Sequence, residues 1–93
     1  MIFEYEIGEL RKRFMNHLFD ETEGDEYKSV RFDIIYKKAC YDDENLEIYD
    51  STNDILKNLV KQDLVNKNYI LLDDSDAENI LITFNGKQDY MKL

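Results

Sequence analysis

Asn53, Lys57, Asn58, Lys61 and Gln62 follow one another at steps of one, three or four residues. On a helix those steps gather them on one broad side. Asparagine and glutamine can pair with adenine edges, and lysine can reach guanine or phosphate, so this side has the chemistry of a nucleic-acid reader. The same residues also make an ordinary solvated helix face. Within residues 51–72, Lys57, Lys61 and Lys67 stand against Asp54 and Asp63 alone, which leaves the segment locally positive in an acidic chain.

The acids cluster elsewhere. Glu21, Glu23, Asp25 and Glu26 follow Asp20, and Asp42, Asp43 and Glu44 open a second acid-rich stretch that runs to Asp50. Such clusters can imitate the phosphates of a nucleic acid or dock on a basic protein, and they can equally be soluble, charged loops. Asp74, Asp76 and Glu78 alternate like the start of a calcium loop. An EF-hand, however, needs glycine at its sixth position and glutamate at its twelfth. This chain supplies Asn79 and Asn85 there, so a solvated hairpin turn is expected.

The remaining reactive side chains are isolated. His17 is the only histidine, and a zinc site needs about four ligands, so a helix-surface histidine is expected. Cys40 follows Lys37 and Lys38 by one turn, which could lower a thiol pKa, but no histidine accompanies it to make a nucleophile. A buried, inert thiol is the simpler reading. Three scattered glycines cannot cradle a phosphate, and the carboxylates lack the apolar setting that singles out a general acid. No catalytic, metal or cofactor site is expected.

Charge narrows the partners. With 21 acids against 12 bases the net charge is -9, which opposes nucleic-acid binding by the surface as a whole and favours solubility and basic partners. Seven tyrosines and five phenylalanines supply aromatic area, part of it bearing hydroxyls suited to an interface, so a protein partner or self-association is expected. One cysteine cannot close an internal disulfide, which suits a reducing cytosol. The first ten residues lack a basic segment followed by an apolar core, so no signal peptide is expected, and no apolar run approaches the ~20 residues of a membrane helix. The absence of proline, with many lysines, asparagines, isoleucines and tyrosines, suggests an AT-rich bacterial or phage genome.

These residues must be positioned by a single domain covering 1–93. Phe3, Ile7, Leu10, Phe14 and Leu18 make one apolar stripe and predict a helix over 3–20, stopped by Gly24. Residues 26–41 fit a helical stripe (Tyr27, Val30, Ile34, Tyr41) and also alternate as a strand (Val30, Phe32, Ile34, Tyr36). Helix is preferred because the run exceeds ten residues with no turn signal. Residues 42–54 read as a loop, with a short extended piece around Leu46 to Tyr49. A third helix follows, capped by Ser51 or Thr52, with Ile55, Leu56, Leu59, Val60 and Leu64 as its buried stripe. Asparagines at 66 and 68 tolerate a left-handed turn at its end. The runs 69–72 and 80–83 then form an antiparallel hairpin, and Thr83 caps a last short helix through Tyr90 and Met91.

Residues 51–93 resemble the second half of a winged-helix domain. In that family a recognition helix runs into a strand, a wing follows, and a threonine-x-x-glycine step leads to the last helix. Leu64, Tyr69 and Ile70 match the first part, and Ile82, Thr83, Gly86, Tyr90 and Met91 match the second. Asn68 stands where the family has glycine, and the loop before the third helix is longer and more acidic than a tight helix-turn-helix requires. The wing, Asp73 to Glu78, carries four acids where DNA-binding members use bases, which weighs against DNA contact by the wing. The expected fold is therefore mainly α with a small β-hairpin, winged-helix-like. The expected function is a non-catalytic regulatory or adaptor module acting through protein contacts, with DNA mimicry as a sharper form. The alternative is a dimeric transcriptional regulator that reads DNA with the third helix.

Overall fold

The computed structural model describes residues 4–42 and 46–92, with the side chains of Glu4, Met91 and Lys92 left aside. Phe3, Asp43, Glu44 and the Met91 side chain, all named above, lie outside the described residues.

The first stripe folds as α1 (Glu4–Thr22). Leu10, Phe14 and Leu18 are fully buried, and so is Met15, which fills the same face one step on. The helix ends because Thr22 turns its hydroxyl back onto the Leu18 carbonyl (2.8 Å) and the chain then enters left-handed conformations at Glu23 and Gly24. Gly24 is needed there, since a Cβ would also meet the Phe19 ring at 3.3 Å.

Residues 26–41 contain both expected alternatives in sequence. Val30–Arg31 is a short strand, β1, and the chain then enters α2 (Phe32–Cys40). The helical period is as expected and the face is not. Phe32, Ile35, Tyr36, Ala39 and Cys40 are buried, whereas Tyr27 and Ile34 are 93% and 51% exposed. The helix starts at Phe32, after Val30 and Arg31 have paired with β5, and its packing against α1 buries the face opposite Ile34. The 42–54 stretch is not purely loop: β2 (Tyr41–Asp42) pairs antiparallel with β3 (Leu46–Glu47).

The third helix, α3 (Asp54–Asn66), is capped by Asn53, not by Ser51 or Thr52: the Asn53 side chain accepts from the Leu56 amide at 3.2 Å. Its buried stripe is Leu56, Val60 and Leu64, at steps of four. Ile55 and Leu59 are 70% and 37% exposed, a correction to the expected stripe. One helix rests on the core along a single line, and five apolar positions were too many to share it. At the C-terminus Asn68 takes φ 60, while the Tyr69 and Asn68 amides donate to the Leu64 and Val65 carbonyls at 2.9 and 3.0 Å. This double closure turns the chain sharply out of the helix.

The hairpin follows as expected, β4 (Ile70–Leu72) antiparallel to β5 (Asn79–Ile82), with Ile70 opposite Ile82 and Leu72 opposite Ile80. β1 adds to the far side of β5, giving the order β1-β5-β4. The last helix, α4 (Phe84–Lys92), is launched by Thr83. Its hydroxyl accepts from the Gly86 amide at 2.9 Å and donates to the Asn68 carbonyl, so one side chain joins the end of α3 to the start of α4. Tyr90 then docks α4 on α1, stacking on Phe19 with centroids 4.7 Å apart and donating to Asn16 at 2.8 Å. The result is mainly α with a small antiparallel sheet. No helix among the described residues is long and apolar enough to cross a membrane.

Candidate functional site

α3 is fixed from both flanks. On one, the Arg11 guanidinium of α1 holds Asp63 at 2.9 Å, both half-buried. On the other, the Lys61 ammonium lies 5.2 Å from the Phe32 ring centroid and 3.8 Å from a Glu78 carboxylate oxygen. Two of the five expected reading residues are thereby committed within the fold. Asn53 spends its side-chain oxygen on the cap, and Lys61 is drawn back over α2 with its side chain only 17% exposed. Lys57 is half-buried, and only Asn58 and Gln62 stand fully outward. They share that side with Ile55 and Leu59, whose exposure the apolar pattern did not foretell. Beside them a shallow depression of about 370 Å³ separates α3 from β4, edged by Lys61, Gln62, Val65, Asn66 and Leu72.

The acidic residues are largely occupied. Glu21 pairs with Lys38 at 3.5 Å, Glu26 with Lys87 at 3.0 Å, and Asp42 with Arg13 at 3.5 Å. Asp25 accepts from the Tyr27 amide at 2.8 Å to shape its own turn, and Glu23 is exposed in a left-handed conformation. Asp43 and Glu44 lie outside the described residues. In the turn between β4 and β5, Asp73 accepts from the Ser75 amide and hydroxyl, both at 2.8 Å, and these bonds hold its carboxyl below the usual range. Asp76 likewise accepts from the Glu78 amide at 3.0 Å. These are turns folded around their own carboxylates. Among the described residues no group of three or more histidines, cysteines or acids could hold a metal.

Cys40 is fully buried, and burial pushes its thiol pKa up, the opposite of nucleophile activation. His17 lies half-buried on α1, and burial followed by the nearby Lys38 lowers its pKa, partly opposed by Asp20. It lines a second hollow that the sequence reading did not single out. This is a groove of about 820 Å³ between α1 and α2, with Arg13, His17, Ile34, Lys37, Lys38 and Tyr41 on its walls. The signal was present as Arg13 and His17 one turn apart on α1, and Lys37 and Tyr41 one turn apart around the end of α2. Only the packing of the two helices brings the pairs together.

Comparison with known protein families, characterised proteins and solved structures finds no match to this chain.

Proposed function

We propose that the chain is a winged-helix-type, non-catalytic module that acts by binding another protein. The order β1-β5-β4 supports the family reading, with β1 lying between two helices in sequence and the hairpin following α3. So does the linkage of Asn68, Thr83 and Gly86. The observation that carries the functional reading is the outward face of α3, where Ile55 (70% exposed) and Leu59 (37%) stand beside Asn58 and Gln62. Two aliphatic side chains held in water on a rigid helix suit a protein partner better than a base edge, which is recognised by hydrogen-bonding groups. The net charge of -9 favours a basic partner.

Ile55→Lys and Leu59→Lys provide the test, since both side chains are exposed and the fold should tolerate them. Proteins captured from cell extract by the wild type and lost from both variants would support the reading. An identical set on all three would remove α3 from the interface. DNA binding by a dimer remains the second reading because Asn58 and Gln62 stand outward and the half-buried Lys57 makes no ion pair among the described residues.

A further inference from the structure

The α1–α2 groove combines size, a largely apolar lining and three basic side chains, Arg13, Lys37 and Lys38. At about 820 Å³ it falls in the range of small-ligand sites, and its walls expose more apolar than polar surface. Ile34 supplies an aliphatic side chain that is 51% exposed although it lies on a helix with a well-buried opposite face. Tyr41 adds an aromatic ring. At one rim Lys37 and Lys38 extend from the last turn of α2.

Arg13 builds the floor. Its Nε donates to the Ala39 carbonyl at 2.8 Å and its terminal nitrogen to the Tyr41 carbonyl at 2.7 Å. It thus caps the Ala39 carbonyl, while the neighbouring Lys38 and Cys40 carbonyls accept from the backbone amides of Tyr41, Ile48 and Tyr49. The guanidinium still adds its charge to the groove, and Asp42 on the same wall answers only part of it, at 3.5 Å. Glu21 meets Lys38 at 3.5 Å, but both groups are about half exposed, a pairing that a better-placed anion can displace. Lys37 makes no ion pair among the described residues.

We propose that this groove binds a small amphipathic anion, an apolar ring or short chain bearing a carboxylate or phosphate. The apolar body lies between Ile34 and Tyr41, and the anionic end meets Lys37 and Lys38. Such a site would put a ligand across the two helices that carry much of the core, away from the α3 face proposed for protein contact. Its success or failure is independent of that reading.

Phenyl phosphate, titrated into the full chain and followed by ¹H–¹⁵N correlation spectra, tests the proposal. Saturable shifts are expected at residues 13–17 and 34–42. The affinity should fall by about tenfold or more in Lys37→Glu/Lys38→Glu, where two attractive charges become repulsive. Ile34→Asp should weaken it comparably, and phenol should bind far more weakly than phenyl phosphate. Peak dispersion in the same spectra reports that each variant is folded. Three results would overturn the proposal: no saturable shift up to about 10 mM phenyl phosphate, tenfold beyond millimolar affinity; equal binding by the doubly charge-reversed variant; or preference for an acidic peptide copied from residues 73–78 over phenyl phosphate.

Discussion

The Lys61 ammonium lies 5.2 Å from the centre of the Phe32 ring and 3.8 Å from Glu78, so the middle of α3 is tied to α2 and to the start of β5. A lysine committed in this way stabilises the fold. Lys61→Ala should cost about 1 kcal/mol in urea denaturation, from the lost cation–π contact and the stem packed on the ring. Lys57→Ala, with no such partner among the described residues, should stay within about 0.5 kcal/mol. Equal costs would mean that Lys61 points into water.

Exposure divides the leucines of α3. Leu64 is fully buried, and Leu64→Ala should cost about 2–5 kcal/mol. Leu59 is 37% exposed, and Leu59→Ala should cost about 1 kcal/mol or less. A large loss at Leu59 would place it in the core and withdraw it from the proposed interface.

These corrections show what was legible in the sequence. Much local chemistry was: the Asn68 turn, the Thr83 cap and the antiparallel β4–β5 hairpin depend on residues close in the chain and stand where expected, although the cap of α3 falls to Asn53 instead of Ser51 or Thr52. The identity of buried faces was not. Ile55 and Ile34 fit helical stripes as well as Leu56 and Ile35 do, and only the direction in which each helix meets α1 decides between them. The strand alternative from Val30 survives only at Val30–Arg31, because pairing with β5, some fifty positions away, holds those two residues and the chain turns helical at Phe32. The candidate site suffered most. Lys61 looks free in a linear reading, and nothing local announces that the Phe32 ring lies beneath it.

Two glycines should respond in opposite directions. A Cβ at Gly86 would run into the Tyr69 carbonyl oxygen and the Met15 methyl group, so Gly86→Ala should cost about 1–3 kcal/mol as α4 is pushed from the end of α3. At Gly8, inside α1, the nearest atom to a new Cβ is an Arg11 nitrogen at 3.6 Å, an ordinary contact. Gly8→Ala should therefore stabilise by about 0.5–1 kcal/mol. Thermal or urea melts of the two variants check the sign of each.

Tyr36 carries a buried hydroxyl with no hydrogen-bond partner among the described residues, set beside the Cys40 thiol. Burial, then Cys40, raises its pKa, so it stays protonated across the usable range. An unsatisfied buried hydroxyl costs about 1–3 kcal/mol of desolvation, so Tyr36→Phe should be neutral or mildly stabilising. A loss above about 1 kcal/mol would mean that the thiol is a true partner.

The central claim is that the outward face of α3 meets protein and does not read DNA. Fluorescence anisotropy of labelled random-sequence duplex, titrated with this protein into the low-micromolar range at about 0.15 M salt, tests it most directly. With Asn53 and Lys61 committed within the fold and four acids between β4 and β5, no saturable binding is expected. Saturable binding that weakens steeply with added salt and disappears in Lys57→Glu would contradict the claim and assign α3 to DNA.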